Sequence, residues 1–431
     1  MARMTDPSLR LQTLPGEDDI LRRGLENGIV VLARPNYSSP SVSLQGYLET
    51  GSIQDPDDKL GLADFTASAL LRGTQRRDFQ AIYDALETAG ASLGFSCGTL
   101  STSFGGKALA EDLGLLLELL REALLEPIFP AEQVERLRAQ HLTSLAIRAQ
   151  DTASMASLTF DRLLFPGHPF SRPEDGYPET VNTITRQDLV DFHRGACGPK
   201  GMVITIVGAI DPQKAADLVY QAFSDWRNPS QTARPSLPPV PRLPEPARLH
   251  VPIPGKSQSD IILGVVGPER TSPHFLPASL GNNILGSFGM YGRIGESIRE
   301  TAGLAYYAYS NLNAGVGPGV WYAGAGVEPD NVNQVIEMIQ NELRHFSQEQ
   351  VTEQELEDSQ SNIIGLLPLG LESNAGVAAA VTHLERYNLG LNYYRTYPDL
   401  VRAVTREKVL AAAQYYLNLG QLVIATAGPA E

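Results

Sequence analysis

The sequence predicts an α+β protein of two homologous α/β-sandwich domains, each with a mixed, mainly antiparallel sheet covered by helices. Three observations predict it: the chain length, a proline-rich segment near the middle, and a pattern of elements repeated on either side. With 431 residues, the chain exceeds the usual size of one hydrophobic core, so two domains are expected. Helical and strand patterns do not alternate strictly, which favours α+β over a doubly wound parallel sheet.

In the first half, successive patterns predict strands and helices in a definite order. GIVVLARP and SVSLQGYLET predict paired strands, and GLADFTASALLRGT then predicts a buried helix. DFQAIYDALETAG predicts a second helix that ends at Gly90 in a left-handed cap. ASLGFSCGTLSTSFGG is strand-like, and EDLGLLLELLREALL predicts a long helix.

Prolines mark the boundary between the domains. Nine of the 30 prolines lie between residues 229 and 254. Because proline cannot donate to a sheet and favours extended backbone, this segment is predicted to be a semi-rigid linker. The predicted organisation is therefore an N-terminal domain at 1–228, a linker at 229–254 and a C-terminal domain at 255–431.

The two halves contain the same succession of local patterns. TRQDLVDFHRGACGPKGMVITIVG starts at Thr185, and TREKVLAAAQYYLNLGQLVIATAG, of the same length, starts at Thr405. Each predicts a threonine-capped amphipathic helix followed by a strand. The tetrapeptide ETAG occurs at residues 87–90 and again at 300–303. Two echoes in the same order predict an internal duplication.

Composition and charge exclude several functional classes. Hydrophobic residues make up 42% of the chain and charged residues 19%, which is typical of a folded protein. The formal charge of −15 disfavours binding to nucleic acid or to anionic lipid. Cys97 and Cys197 form no disulfide framework. No apolar run suggests a signal peptide or a membrane span, so we expect a cytoplasmic protein.

Sequence motifs for chemistry are scarce. None of the seven histidines lies three to five residues from another, so no histidine pair with zinc-ligand spacing occurs. No phosphate-binding loop or nucleophile elbow is present, and the acidic run TEQELED is interpreted as a solvated helix face. One unusual feature is that Asp64 and Ser68, four residues apart, share one face of the predicted buried helix.

GLADFTASALLRGT, between LETGSIQDPDDKLGLAD and LETAGASLGFS, resembles the zinc-binding helix region of the pitrilysin and mitochondrial processing peptidase family. The signature of these inverzincins is HxxEH, with two histidine ligands and a glutamate base. Aligned residue by residue, these positions are Asp64, Ala67 and Ser68. A third family ligand, a glutamate, falls near Ser144 or Leu145, where no acid occurs. The resemblance implies that the helix is retained without its metal site.

The second half resembles the non-catalytic half of the same family, in LGNNILGSFGMYGRIGESIRETAGLAYYAYSNL. That half carries a glycine-rich loop, a helix ending in arginine and a tyrosine on the next strand. The arginine falls on Arg299 and the tyrosine on Tyr306. Gly286 and Gly289 belong to the loop, either to contact substrate or to let the helix pack closely.

The resemblance implies that Arg299 and Tyr306 contact the substrate backbone and the oxyanion that forms when water attacks the carbonyl. A fixed guanidinium and a phenolic hydroxyl are suited to that task. Spacing alone also allows a second interpretation, in which Arg299 pairs with Glu296 or Glu300 on the helix surface. Tyr306 would then be an ordinary strand aromatic.

We therefore expect the non-catalytic subunit of a heterodimeric zinc endopeptidase. The resemblance implies a clam-shell chamber that this chain completes, with Arg299 and Tyr306 acting in trans. The zinc and the HxxEH motif would belong to a homologous partner, and this chain would hold no metal or cofactor. Substrates would be peptides or unfolded polypeptide segments. The alternative is a structural scaffold or binding protein of the same fold that has lost peptidase function.

Overall fold

The computed structural model describes residues 14–287 and 292–430, which divide into two compact units. The first unit comprises the described residues up to 145 together with 173–236 and 368–396. The second comprises 146–172, 237–367 and 397–430. Each unit thus includes one segment from the other half of the chain. The boundaries at 1–228 and 255–431 stay a prediction.

The first unit contains a six-stranded sheet in the order β1-β2-β6-β3-β5-β4. Its strands are β1 (Leu21–Gly24), β2 (Val30–Pro35), β3 (Ser41–Leu48), β4 (Ser92–Cys97), β5 (Thr102–Leu109) and β6 (Val203–Gly208). Only β2 and β6 pair in parallel; the other neighbours are antiparallel. The predicted strand-like run at 91–106 is two strands, because the chain turns between β4 and β5.

The second unit repeats this topology in a five-stranded sheet with the order β7-β11-β8-β10-β9. Its strands are β7 (Ala247–Pro252), β8 (Ser259–Gly267), β9 (Ala305–Asn313), β10 (Gly319–Val327) and β11 (Val423–Gly428). Again one pair, β7 with β11, is parallel and the rest are antiparallel. The predicted fold class, with mixed and mainly antiparallel sheets in two homologous domains, is confirmed.

Helices cover both sheets. They are α1 (Leu62–Ala69), α2 (Phe79–Thr88), α3 (Leu113–Leu125), α4 (Ala131–Arg148), α5 (Thr152–Leu164), α6 (Pro178–Thr183), α7 (Arg186–Ala196), α8 (Pro212–Phe223), α9 (Phe275–Asn282), α10 (Arg293–Gly295), α11 (Val332–Gln348), α12 (Glu353–Gly370), α13 (Asn374–Arg386), α14 (Tyr393–Arg402) and α15 (Arg406–Tyr416). Two π-helices, Asn283–Ser287 and Glu296–Thr301, follow α9 and α10.

Two helices are exchanged between the halves of the chain. Helix α5, from the first half, lies on β8 and β11 in the second unit. Helix α13, from the second half, lies on β3 and β6 in the first unit, where Thr382 Oγ1 contacts Thr205 Oγ1 at 2.8 Å. Each sheet therefore buries an apolar face under a helix that comes from a distant part of the sequence.

The predicted repeat is visible in the helix caps. Thr185 accepts a hydrogen bond from the backbone of Asp188, and Thr405 accepts one from Lys408, at the starts of α7 and α15. The strands that follow, β6 and β11, are buried along their whole length. Gly90 has φ of +58°, which confirms the predicted left-handed cap after α2.

The predicted linker ends in a strand. Its last residues form β7, an edge strand that pairs in parallel with β11. Pro252 is tolerated there because it closes the strand at the edge of the sheet. Within the described ranges, no single helix is long and apolar enough to span a membrane; only the bent pair 353–370 and 374–386, at 114°, passes such a test jointly.

Candidate functional site

Helix α1 is held at its N-terminus by a buried carboxyl group. Asp55 Oδ2 accepts a hydrogen bond from Gly61 N, and its Oδ1 accepts one from Ala63 N, both at 2.9 Å. Burial raises the pKa of Asp55 to about 7, although these hydrogen bonds act in the opposite direction. The predicted buried character of the helix is confirmed, since Leu62, Ala63 and Phe65 are in the core.

Asp64 lies beside a histidine that comes from another helix. Its Oδ2 is 3.8 Å from His141 Nδ1 on α4, and the imidazole stacks on Phe65 with ring centroids 5.0 Å apart. Burial raises the pKa of Asp64 to about 7, and nearby Asp175 and Glu174 act in the same direction. Burial also lowers the pKa of His141. At neutral pH the contact therefore joins a carboxyl group to a neutral imidazole.

The positions aligned with the family's zinc ligands do not fit a zinc ion. Ala67 is buried in an apolar cluster with Ala63 and Cys97, and Ser68 supplies only a hydroxyl. On α4, Ser144 is exposed and Leu145 is in the core. A zinc site needs nitrogen, sulfur or carboxylate ligands from at least three side chains. In the part of the chain that the structure describes, no group of three histidine, cysteine or acidic side chains could hold a metal.

Arg299 lies in the second unit, in a stretch of irregular helix. It belongs to the π-helix Glu296–Thr301, and π-helical turns are rare and frequent at functional sites. The side chain is 43% exposed, and its Nε lies 3.7 Å from Glu300 Oε1. That distance is too long for a hydrogen bond, so this ion pair leaves the guanidinium with donors for a ligand.

The helix that contains Arg299 ends in a tight turn, and Tyr306 lies just after that turn. Gly303, with φ of +65°, donates its N–H to the carbonyl of Arg299 at 3.2 Å, and Leu304 donates to Ile298 at 3.0 Å. A left-handed glycine with such bonds is a common helix C-cap. Tyr306 then lies near the start of β9, with 80% of its surface exposed. The backbone between the two residues is therefore fixed by local hydrogen bonds.

The helix that leads to Arg299 is anchored by a partly buried ion pair. Arg293 donates from Nε and Nη2 to the two carboxylate oxygens of Glu355, at 2.7 and 2.9 Å, and its Nη1 is 3.3 Å from Glu342. Burial opposes ionisation of Glu355, but the hydrogen bonds from Arg293 and Thr352 lower its pKa to about 2. Glu355 belongs to the run TEQELED, so the prediction of a purely solvated helix face is wrong at this residue.

Of the two loop glycines, Gly289 lies outside the described residues. Gly286 is buried in the π-helix Asn283–Ser287 against β9. A Cβ at Gly286 would lie 2.4 Å from the backbone nitrogen of Ser310, so no larger residue fits there. Close packing therefore accounts for Gly286, and its suggested contact with substrate stays a prediction.

No local sequence pattern identifies His141 or Glu355 as a partner of a site residue. His141 is far from Asp64 along the chain and meets it only because α4 packs beside α1. Glu355 is one of several acids in a polar helix, and only the fold selects it as the partner of Arg293. The one available hint was Asp64 itself. An acid in an otherwise apolar helix indicates that a polar group from elsewhere in the fold lies opposite it.

The fold and the site together define a two-domain metallopeptidase-like protein whose zinc-motif positions do not fit zinc. Residues 183–363 match the family described as Peptidase M16 inactive domain, and residues 30–162 match Insulinase (Peptidase family M16). The chain belongs to peptidase family M16, which confirms the resemblance predicted from its sequence.

Similar proteins support this assignment over nearly the whole chain. An uncharacterized zinc protease of Mycobacterium leprae is 27% identical over 93% of this chain and 89% of its own length. The structure of a peptidase M16 inactive domain from Pseudomonas fluorescens matches with a TM-score of 0.85 and 25% identity, covering 96% of this chain and 98% of that one. A protease from Helicobacter pylori shares the fold, with a TM-score of 0.89 at 19% identity, over 96% of this chain and 100% of its own.

Proposed function

We propose that this chain is the non-catalytic subunit of a two-chain zinc peptidase and supplies Arg299 and Tyr306 to the active site of a homologous partner. The observation that carries the proposal is that both residues occupy irregular backbone and keep exposed polar groups. The positions of the zinc motif in the same chain hold Asp64, Ala67 and Ser68, which do not fit a metal site.

Arg299 and Tyr306 have the chemistry that peptide hydrolysis requires opposite a metal ion. When water attacks a peptide carbonyl, negative charge develops on its oxygen, and preorganised donors stabilise it. The Arg299 guanidinium and the Tyr306 hydroxyl are such donors. In this proposal the partner carries HxxEH and zinc, and the substrates are peptides or unfolded polypeptide segments.

The test is the kinetics of the purified two-chain enzyme with Arg299→Ala or Tyr306→Phe in this chain. Loss of one oxyanion donor typically lowers kcat by about a hundred- to a thousandfold. We expect that loss with the complex intact by size-exclusion chromatography. Arg344→Ala, which removes an exposed arginine from α11, is the matched control and should leave kcat unchanged. Unchanged turnover in both site variants would refute the proposal.

A second candidate is a structural subunit without a part in catalysis. It is favoured by similarity to rat mitochondrial cytochrome b-c1 complex subunit 1, which is 28% identical over 46% of this chain and 42% of its own length. A stable assembly with partners that all lack HxxEH would support this second candidate. It would leave the exposed Arg299 and Tyr306 without a role.

A further inference from the structure

Tyr306 is the extra residue of a β-bulge. Tyr307 pairs with Gly326 of β10, and Ala305 pairs with the next residue, Val327, so Tyr306 has no partner in the register. The corresponding edge strand of the first unit, β4, pairs with β5 without interruption from Ser92 to Cys97. Bulges redirect single side chains and are frequent beside active sites. The bulge explains why Tyr306 points away from the sheet into solvent.

A bulge at a sheet edge needs something to hold its position. Among the residues that the structure describes, strand β9 pairs only with β10. Side chains alternate between the two faces of a strand, so a bulge that slips by one residue sends Tyr306 to a different face. The hydrogen bonds of one neighbour do not distinguish strongly between these two registers.

Tyr307, the residue after the bulge, is tied across the sheet. Asp260 of β8 and Tyr307 of β9 both pair with Gly326, on opposite sides of β10. The Tyr307 ring lies over Gly326, and its hydroxyl donates a hydrogen bond to Asp260 Oδ1. A Cβ at Gly326 would lie 2.5 Å from Tyr307 Cε1, so the crossing depends on glycine.

Asp260 is itself fixed. It is only 3% exposed, and besides Tyr307 it accepts hydrogen bonds from Thr152 Oγ1, at the start of α5, and from Gln258 Nε2 at 3.3 Å. Burial raises the pKa of Tyr307, and the hydrogen bond to Asp260 adds to the effect, so the phenol stays protonated as a donor. The bulge is therefore attached, through Tyr307, to the buried side chain of Asp260, which accepts hydrogen bonds from three donors.

We propose that Tyr307 and Asp260 are positioning residues that fix the bulge and thereby aim Tyr306. Tyr307 pins one side of the extra residue across Gly326, and the capped turn at Gly303 fixes the other side. Slippage of the bulge is then blocked at both ends. This inference rests on the proposed function for its effect on turnover, but the anchoring of the bulge is a property of this chain alone.

The test removes the Tyr307 hydroxyl in two backgrounds of the two-chain enzyme. Tyr307→Phe should lower kcat about tenfold with little change in KM, because substrate still binds while Tyr306 is misplaced. In the Tyr306→Phe background the same substitution should have no further effect, since residues that act as one unit are not additive. Tyr309→Phe, two residues along the same face and over Gly324, is the matched control. Equal losses in both backgrounds would overturn the proposal.

Hydrogen–deuterium exchange separates this inference from the proposed function. In the isolated chain, Tyr307→Phe should speed exchange of the β9 backbone amides near residue 306 at least tenfold, and Tyr309→Phe should not. Unchanged exchange at the bulge in Tyr307→Phe would overturn the anchoring role. If exchange rises as expected but Tyr306→Phe leaves turnover unchanged, the anchor stands and the proposed function fails.

Discussion

At the scale of single residues, Asp64 is an unusual acid in a buried helix. Its carboxyl group is three-quarters buried, next to His141 and near two further acids. Such a group destabilises the folded protein when it is ionised, because burial and like charges both oppose its charge. The residue at the position that aligns with the family's first zinc-binding histidine therefore carries an energetic cost when it is ionised.

Asp64→Asn should stabilise the protein at neutral and alkaline pH. The folded state holds the proton of Asp64 up to about pH 7, whereas the unfolded chain releases it near its ordinary pKa of about 4. The free energy of unfolding therefore falls as pH rises between these values. Asparagine does not titrate, so the variant should gain about 1–2 kcal/mol at pH 8, discounted for partial exposure, and nothing near pH 4.

Denaturant unfolding at pH 4, 6 and 8 measures this difference. Asp58→Asn, which removes an exposed carboxyl group before α1, is the control. A constant difference between native protein and Asp64→Asn at all three pH values would contradict the assignment.

Restoration of the zinc motif should fail. The triple variant Asp64→His, Ala67→Glu, Ser68→His supplies two histidine ligands and a base, but the position of the third ligand holds Ser144 or Leu145. We expect no hydrolysis of unfolded casein, because the aligned third ligand is missing. Zinc content by plasma mass spectrometry, with and without an added His141→Ala, shows whether His141, whose Nδ1 lies 3.8 Å from Asp64 Oδ2, substitutes as a ligand. Addition of Ser144→Glu tests the alignment of the third ligand. Zinc-dependent hydrolysis by the triple variant alone would show that the aligned register or the count of missing ligands is wrong.

At the scale of elements, the segment from α10 to β9 concentrates irregular backbone. The π-helix that contains Arg299, the left-handed Gly303 and the bulge at Tyr306 follow one another directly. Most residues of helices and strands have regular backbone geometry. π-Helical turns and β-bulges are frequent at functional sites, where they position individual side chains. The site residues are therefore set by local backbone geometry as well as by packing.

Gly303→Ala should destabilise this segment through its backbone alone. An added Cβ at Gly303 meets no atom within 4 Å, but φ of +65° is unfavourable for any residue with a side chain. We expect a loss of about 1 kcal/mol in the free energy of unfolding, measured by denaturant titration. Gly114→Ala, in the exposed face of α3 with equally open space, should instead be neutral or stabilising. Stabilisation by Gly303→Ala would contradict the role of the left-handed cap.

Some features of the helices and strands could be predicted from the sequence, and others could not. Threonine caps at Thr185 and Thr405 and the glycine cap at Gly90 were predictable because each depends on a few adjacent residues. The bulge was not, because it depends on how Tyr307, Gly326 and Asp260 meet across three strands. For the same reason the sequence predicted Arg299 and Tyr306 by resemblance but gave no hint of the groups that hold them.

At the scale of the whole molecule, duplication explains the architecture of the two units. The same strand order and the same parallel pair recur in both sheets, so the two units descend from one pattern. The exchange of α5 and α13 was not predictable, because a helix pattern identifies an apolar face but not the sheet that buries it. One unit carries the helix that aligns with the family's zinc-binding helix, and the other carries Arg299 and Tyr306.

The most direct measurement is gentle affinity purification of this chain from its native cells, followed by native mass spectrometry of the complex and its metal content. We expect one copy of a homologous chain containing HxxEH for each copy of this chain, with one zinc ion per pair. A complex whose partners all lack HxxEH, or recovery of this chain alone, would contradict the proposal that this chain completes a peptidase in trans.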